Sequence, residues 1–98
     1  MRYLVVDGEL GGTGIRDKYA NGYSYVKPKE LGLSQGLISQ IDKWQKAYEQ
    51  VHYNGYKEKD IIERLDMEGI NIAKKIIGEL RNIKVEYYSD ANLTTYFI

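Results

Sequence analysis

The sequence has 98 residues, of which 43% are hydrophobic and 29% are charged, a composition typical of folded globular proteins and not of disordered chains. We expect a single domain over residues 1–98, because a chain of this length is too short for two hydrophobic cores. Basic and acidic residues number 14 each, so the net charge is zero. This balance disfavours nucleic-acid binding, which usually needs an excess of basic side chains.

The chain contains no cysteine and a single histidine, His52. Disulfides and thiolate chemistry are therefore excluded, and we predict neither a metal site nor a cofactor. No apolar run reaches the length of about 18 residues that a membrane span requires. The first residues lack the features of a signal peptide, so we expect a cytoplasmic protein that does not bind membranes.

Residues 2–7 are predicted to form a strand, and their continuous apolar run is typical of a central strand covered on both faces. A long loop is predicted over residues 8–33. Glycines are frequent in its first part, residues 8–22, which we call the glycine-rich loop. Part of the long loop, around residues 23–26, is expected to be extended. Loops of this length are uncommon in compact domains and are often functional.

Two amphipathic helices are predicted next. Ser34 is a favourable N-cap for the first helix, which is expected to end near Val51. Its apolar stripe consists of Leu37, Ile41, Trp44, Tyr48 and Val51, and we interpret Trp44 as a core residue. The second helix is expected to start near Glu58 or Asp60 and to end at about Leu80. Gly69 lies within its apolar face, which indicates a close helix contact or a bend.

Alternation over residues 83–88 predicts a strand with one buried face, and residues 93–98 are expected to pair with it as a hairpin. The predicted fold is therefore α+β, a three-stranded mixed sheet covered by two helices in the order β-loop-α-α-β-β. The first strand and residues 83–88 are expected to be parallel neighbours joined by a right-handed crossover.

No motif in the sequence predicts catalysis. Residues 8–14 follow a strand, as a phosphate-binding loop would, but they lack the Gly-Lys-Ser/Thr ending and no helix starts directly after them. The dinucleotide fingerprint is also incomplete, because Asp17 occupies the position of its last glycine. His52 has no accompanying nucleophile or carboxylate motif. We therefore predict that the protein is not an enzyme.

Three blocks of sequence carry a family resemblance. They are residues 12–17 (GTGIRD), residues 31–34 (LGLS) followed by the apolar stripe of the first helix, and residues 66–80 leading into the strand at 85–88. Together they resemble a set of short bacterial proteins of unknown function. Proteins of this size and style recur as immunity partners of contact-dependent or polymorphic toxins. The resemblance implies an immunity protein but transfers no binding residue.

Tyrosine is unusually frequent, with 10 copies against one Trp and one Phe. Tyr and Arg are enriched in protein interfaces, because they offer rigid contact area with a polar tip. Our main hypothesis is an immunity protein that neutralises a cognate toxin domain by direct contact. The predicted contact residues are Arg16, Asp17, Tyr19, Tyr23, Tyr25, Tyr53 and Tyr56.

Two alternatives remain open at this level. The protein could instead be a small ligand-binding or enzymatic domain that uses the glycine-rich loop. It could also be a subunit of a homo-oligomer that pairs through its last strand, which ends in Tyr96-Phe97-Ile98. The expected state is a monomer or a weak homodimer.

Overall fold

The computed structural model describes residues 1–19 and 24–98. Its elements are β1 (Arg2–Asp7), β2 (Gly14–Asp17), a 3-10 turn (Pro28–Leu31), α1 (Gln35–Tyr53), α2 (Lys59–Glu79), β3 (Ile83–Ser89) and β4 (Thr94–Phe97). The strands form one sheet in the order β2-β1-β3-β4. β1 and β3 are parallel, and both outer strands are antiparallel to their neighbours. The predicted α+β class and the parallel central pair are confirmed.

The predicted number of strands was wrong, because β2 arises within the segment expected to be loop. Only four residues form it, and the first of them is a glycine, so no alternation marked it in the sequence. Its outer side is covered in part by the chain that follows. The backbone N–H of Asp17 donates to the Ser24 carbonyl at 3.1 Å, and that of Val26 donates to the Ile15 carbonyl at 2.9 Å. The extended piece expected around residues 23–26 is confirmed at Tyr25, which forms a β-bridge with Arg16.

Both helices pack against one face of the sheet and form the main core with it. The sheet contributes Leu4, Val6, Ile15, Val85 and Tyr87, while the helices contribute Ile41, Trp44, Tyr48, Leu65, Ile72 and Ile76. Trp44 is buried among them, and its indole N–H donates to the Leu65 carbonyl at 2.8 Å. The prediction that Trp44 is a core residue is therefore confirmed.

Gly69 allows α2 to approach the sheet closely. A Cβ atom at this position would lie only 2.1 Å from Cε1 of Tyr87 on β3. The absent side chain thus makes room for a tyrosine ring. The close contact predicted at Gly69 is present, but it joins the helix to the sheet and not to the other helix.

Asp66 on α2 anchors a polar cluster inside this core. Its Oδ1 accepts hydrogen bonds from the hydroxyls of Tyr48, at 2.9 Å, and Tyr87. Its Oδ2 accepts from the Ser89 hydroxyl at 2.8 Å and from the Asn92 side-chain amide at 3.1 Å. A buried carboxylate is tolerated when its oxygens are satisfied in this way. The cluster fixes the turn between β3 and β4 to both helices.

The ends of the helices are also linked. Ser34 caps α1 as predicted, because its hydroxyl accepts from the Leu37 N–H at 3.3 Å. Glu79, the last residue of α2, accepts from the Ser34 N–H at 2.7 Å and from the Ser34 hydroxyl at 2.6 Å. These bonds lower the pKa of Glu79. The start of α1 is thereby held to the end of α2.

Candidate functional site

The face of the sheet opposite the helices carries a layer of aromatic and charged side chains. Because successive residues of a strand point to opposite faces, the residues between the core positions project here. We call this layer the outer sheet face, and it consists of Tyr3, Val5, Asp7, Arg16, Lys18, Lys84, Glu86, Tyr88, Thr95 and Phe97. Arg16 and Lys18 each pair with an anion of this layer, while Lys84 adds a third cation.

Lys18 lies at the centre of one half of the outer sheet face. Its Nζ is 2.9 Å from Oε2 of Glu86, and it lies 4.4 Å from the ring centroid of Tyr3. The rings of Tyr19 and Phe97 are 5.6 and 5.8 Å away, so three aromatic rings surround one ammonium group. The hydrogen bond to Glu86 raises the pKa of Lys18. This arrangement holds a cation and its aromatic neighbours in a fixed geometry.

Glu86 is almost fully buried beneath this group. It also accepts a hydrogen bond from the Tyr3 hydroxyl at 3.0 Å. The pKa of Tyr3 is raised, first by burial and then by this bond, so the hydroxyl remains a donor. Lys18 and Tyr3 therefore shield the carboxylate from water and form the surface above it.

Arg16 organises the other half of the outer sheet face. Its Nε donates to Oδ2 of Asp7 at 2.8 Å, and its guanidinium carbon lies 5.9 Å from the ring centroid of Tyr88. Burial raises the pKa of Asp7, and the bond from Arg16 opposes this effect. The pair leaves the flat guanidinium partly exposed next to an aromatic ring, a combination that is frequent in protein interfaces.

The structure places Tyr19 beside this face and uses Asp17 differently. Tyr19 is 77% exposed, and its ring meets that of Tyr3 edge to face at 5.7 Å. Asp17 pairs with Arg2, whose Nε donates to Oδ1 at 2.9 Å. Arg16 and Tyr19 are thus brought together around the outer sheet face. Asp17 orders the edge of the sheet by a local ion pair, while Tyr23 lies outside the described residues.

Tyr25 is packed against the glycine-rich loop. Its hydroxyl donates to Oε2 of Glu9 at 2.6 Å, and a Cβ atom at Gly12 would lie 2.6 Å from its Cε1. Backbone N–H groups of the same loop bond within the protein, since Gly11 donates to the carboxylate of Glu49 at 3.0 Å. The Gly12 N–H donates to the Glu9 carbonyl at 3.0 Å. These donors are occupied and do not form an open anion cradle.

Tyr53 and Tyr56 lie at the connection between the helices and form a separate patch. Tyr53 is 70% exposed. The Tyr56 hydroxyl donates to Oδ2 of Asp90 at 2.9 Å and lies 2.7 Å from Nδ1 of His52. Burial, and then the bond to Asp90, raises the pKa of Tyr56. The ring of His52 contacts the rings of both tyrosines. His52 therefore belongs to a chain of polar contacts that runs through Tyr56 to Asp90.

Sequence reasoning missed most of the outer sheet face. Lys18, Glu86 and Phe97 come from three different parts of the chain, and only the register of the sheet places them together. A usable signal existed for β3, where the polar half of the alternating pattern contains Glu86 and Tyr88. No comparable signal existed for Tyr3, because the apolar run of β1 hid its alternation.

Within residues 1–19 and 24–98, no group of three or more His, Asp or Glu side chains is placed to hold a metal ion. In the same ranges, neither helix is long and apolar enough to cross a membrane.

Comparison with known proteins identifies the family. A family model described as Serratia CdiI immunity protein-like matches residues 6–90, which is most of the chain. A search of curated proteins gave no significant match. The matched range includes all of α1, α2 and β3. The resemblance to immunity proteins of contact-dependent toxin systems is confirmed, and the chain belongs to the Serratia CdiI immunity protein-like family.

Proposed function

We propose that the protein binds a cognate toxin domain in the cytoplasm and neutralises it by direct contact, without catalysis. Membership of an immunity protein-like family supports this role. The observation that carries the proposal is the outer sheet face, where Lys18 is surrounded by three aromatic rings and held by Glu86. Such a rigid surface can bind a partner with little loss of side-chain entropy.

Arg16 and Tyr19 contribute the central contacts of the proposed interface. Both expose part of a flat side chain that packs on another ring, Tyr88 for Arg16 and Tyr3 for Tyr19. Interfaces often depend on a few Tyr, Trp and Arg side chains. Because the cations Arg16 and Lys18 are each already paired with a carboxylate, we expect the affinity for the toxin to depend weakly on salt concentration.

The remaining predicted contacts have secondary roles in this proposal. Asp17 and Tyr25 support the outer sheet face from its β2 edge, through Arg2 and Glu9 respectively. Tyr23, which lies outside the described residues, stays a contact residue predicted from the sequence. Tyr53 and Tyr56 form a second patch, which contributes only if the toxin reaches the connection between the helices.

Where the reading frame beside this chain encodes a large secreted protein, the toxin domain of that protein is the partner with which the proposal is tested. Tyr19→Ala removes an exposed ring and leaves the core intact. We expect it to raise the Kd for the toxin domain by about tenfold or more, since interface anchors commonly contribute over 1.4 kcal/mol. Isothermal titration calorimetry measures the Kd, and growth of cells that express the toxin measures protection.

Two variants make this experiment specific. Tyr53→Ala removes a similarly exposed tyrosine from the other patch, and Lys46→Ala removes an exposed side chain that pairs with Asp42 on α1. Lys46→Ala should leave the Kd unchanged. A strong loss of affinity in Tyr53→Ala with none in Tyr19→Ala would place the interface at the helix connection and contradict the proposal. Absence of any binding by the wild type would refute the immunity function.

A further inference from the structure

The outer edge of β4 is open. Within residues 1–19 and 24–98, the strand pairs on one side only, with β3, and all four of its residues are exposed. Edge strands usually carry a charge, a proline or a bulge that prevents pairing with another chain. β4 has none of these in its sequence, Thr94-Thr95-Tyr96-Phe97. Its unpaired backbone groups are therefore available to a further strand.

Exposed apolar side chains are concentrated around this edge. Met67 on α2 is 65% exposed, Leu93 is 75% exposed and Phe97 is 77% exposed, with Ile98 beside them. A groove of about 630 Å³ runs between α2 and β4, and Ile62, Met67, Ile70 and Tyr96 form its apolar walls. If a further strand paired with β4, those of its side chains that point toward the helices would lie next to this groove.

We propose that the added strand is β4 of a second copy of this chain, so that two molecules form one continuous antiparallel sheet. A two-fold axis pairs β4 of one copy with β4 of the other. Because this edge is uncharged, the pairing brings no like charges together. Lys59 and Glu63 both line the groove. A two-fold interface places the same surface on both sides, and a groove that carries both signs of charge is compatible with a second copy of itself.

The sheet geometry restricts the register of this dimer. Opposed residues of antiparallel strands share a face, so Tyr96 must face a residue that also points toward the helices. An axis at any residue of the strand meets this condition, and an axis at Thr95 or Tyr96, in the middle of β4, pairs the most residues. The helix-side residues of each copy then enter the groove of the other, and both outer sheet faces stay on the same side. The dimer therefore leaves the proposed toxin surface accessible.

Sedimentation equilibrium of the full chain tests the proposal over concentrations from micromolar to near-millimolar. We expect the wild type to reach twice the monomer mass. Met67→Glu places an anion in the groove, and Thr95→Lys places like charges across the two-fold axis. Each should raise the dimer dissociation constant by about tenfold or more. Ala47→Glu, at an exposed position of α1, is the matched control and should dimerise like the wild type.

Cross-linking tests the register, because the chain has no cysteine of its own. Thr95→Cys or Tyr96→Cys should form an intermolecular disulfide on mild oxidation, whereas Ala47→Cys should not. A wild type that stays monomeric, or a Met67→Glu variant that dimerises normally, would overturn the proposal. So would a monomeric wild type that binds the toxin domain through Met67 and Thr95, since the edge would then belong to the toxin.

Discussion

The carboxylate of Asp66 shows how single residues determine the interior of this protein. It is surrounded by hydroxyl and amide donors and has no cation among its hydrogen-bond partners. Burial raises the pKa of Tyr48 to about 12, and burial together with the bond to Asp66 raises that of Tyr87. Both hydroxyls therefore remain protonated donors, and their contribution to stability is lost only when the pH rises above the ordinary value of 10.

At this scale we predict that Tyr87→Phe destabilises the protein by about 2 kcal/mol, the typical contribution of a hydrogen bond to a charged group. The ring and its contact with Gly69 are retained, so the change isolates the hydroxyl. Urea unfolding followed by circular dichroism measures the free energy of unfolding. Tyr53→Phe, which removes an exposed hydroxyl, is the control. Equal effects of the two substitutions would show that the Asp66 cluster contributes little stability.

At the scale of elements, α2 determines how closely the helical layer approaches the sheet. Its glycine at position 69 faces a tyrosine ring, while the glycine at position 78 faces open space. The two positions lie in the same helix and differ mainly in what surrounds them. They therefore separate the effect of packing from that of helix propensity.

We predict that Gly69→Ala destabilises the protein by about 1–3 kcal/mol, because the new Cβ would overlap the Tyr87 ring. Gly78→Ala should instead stabilise it by up to about 1 kcal/mol, since alanine favours helix and no atom obstructs it there. Thermal unfolding of both variants provides the comparison. If Gly69→Ala proved as stable as Gly78→Ala, the close packing of α2 on β3 would be wrong.

The link between Ser34 and Glu79 predicts a dependence of stability on pH. The pKa of Glu79 lies below its ordinary value of 4.5, chiefly because the Ser34 hydroxyl and N–H donate to it. The folded state therefore favours the carboxylate. Its contribution to the free energy of unfolding is complete above pH 4.5 and is lost as the pH falls through the lowered pKa.

Carbon NMR of the Glu79 carboxyl group tests this link directly. In Ser34→Ala, the pKa of Glu79 should move back toward its ordinary value, because the hydroxyl donor is lost. In Glu79→Gln, the free energy of unfolding should fall less between about pH 5 and pH 3, a window set by the ordinary pKa of 4.5 and the lowered pKa of the folded state. An unchanged Glu79 pKa in Ser34→Ala would mean that the hydroxyl does not influence the carboxylate.

At the scale of the whole molecule, the sequence allowed the helices and the central strand pair to be predicted, because their apolar periodicity is strong. β2 was missed because four residues that begin with a glycine are too few for a pattern. The outer sheet face depends on register between strands distant in sequence, as in the contact of Lys18 with Glu86. No local pattern reports such a contact, so the sequence indicated Arg16 and Tyr19 but not the residues around them.

The parallel pairing of β1 with β3 also constrains when the protein becomes active. Leu4 lies opposite Val85, so the central ladder joins residues separated by nearly the whole chain. Contacts between residues so far apart in the sequence slow folding. During synthesis they cannot form until β3 has left the ribosome. Under the proposed function, a newly made molecule gives no protection while it is still being translated. A cell that meets the toxin would therefore depend on the molecules of this protein that had already folded.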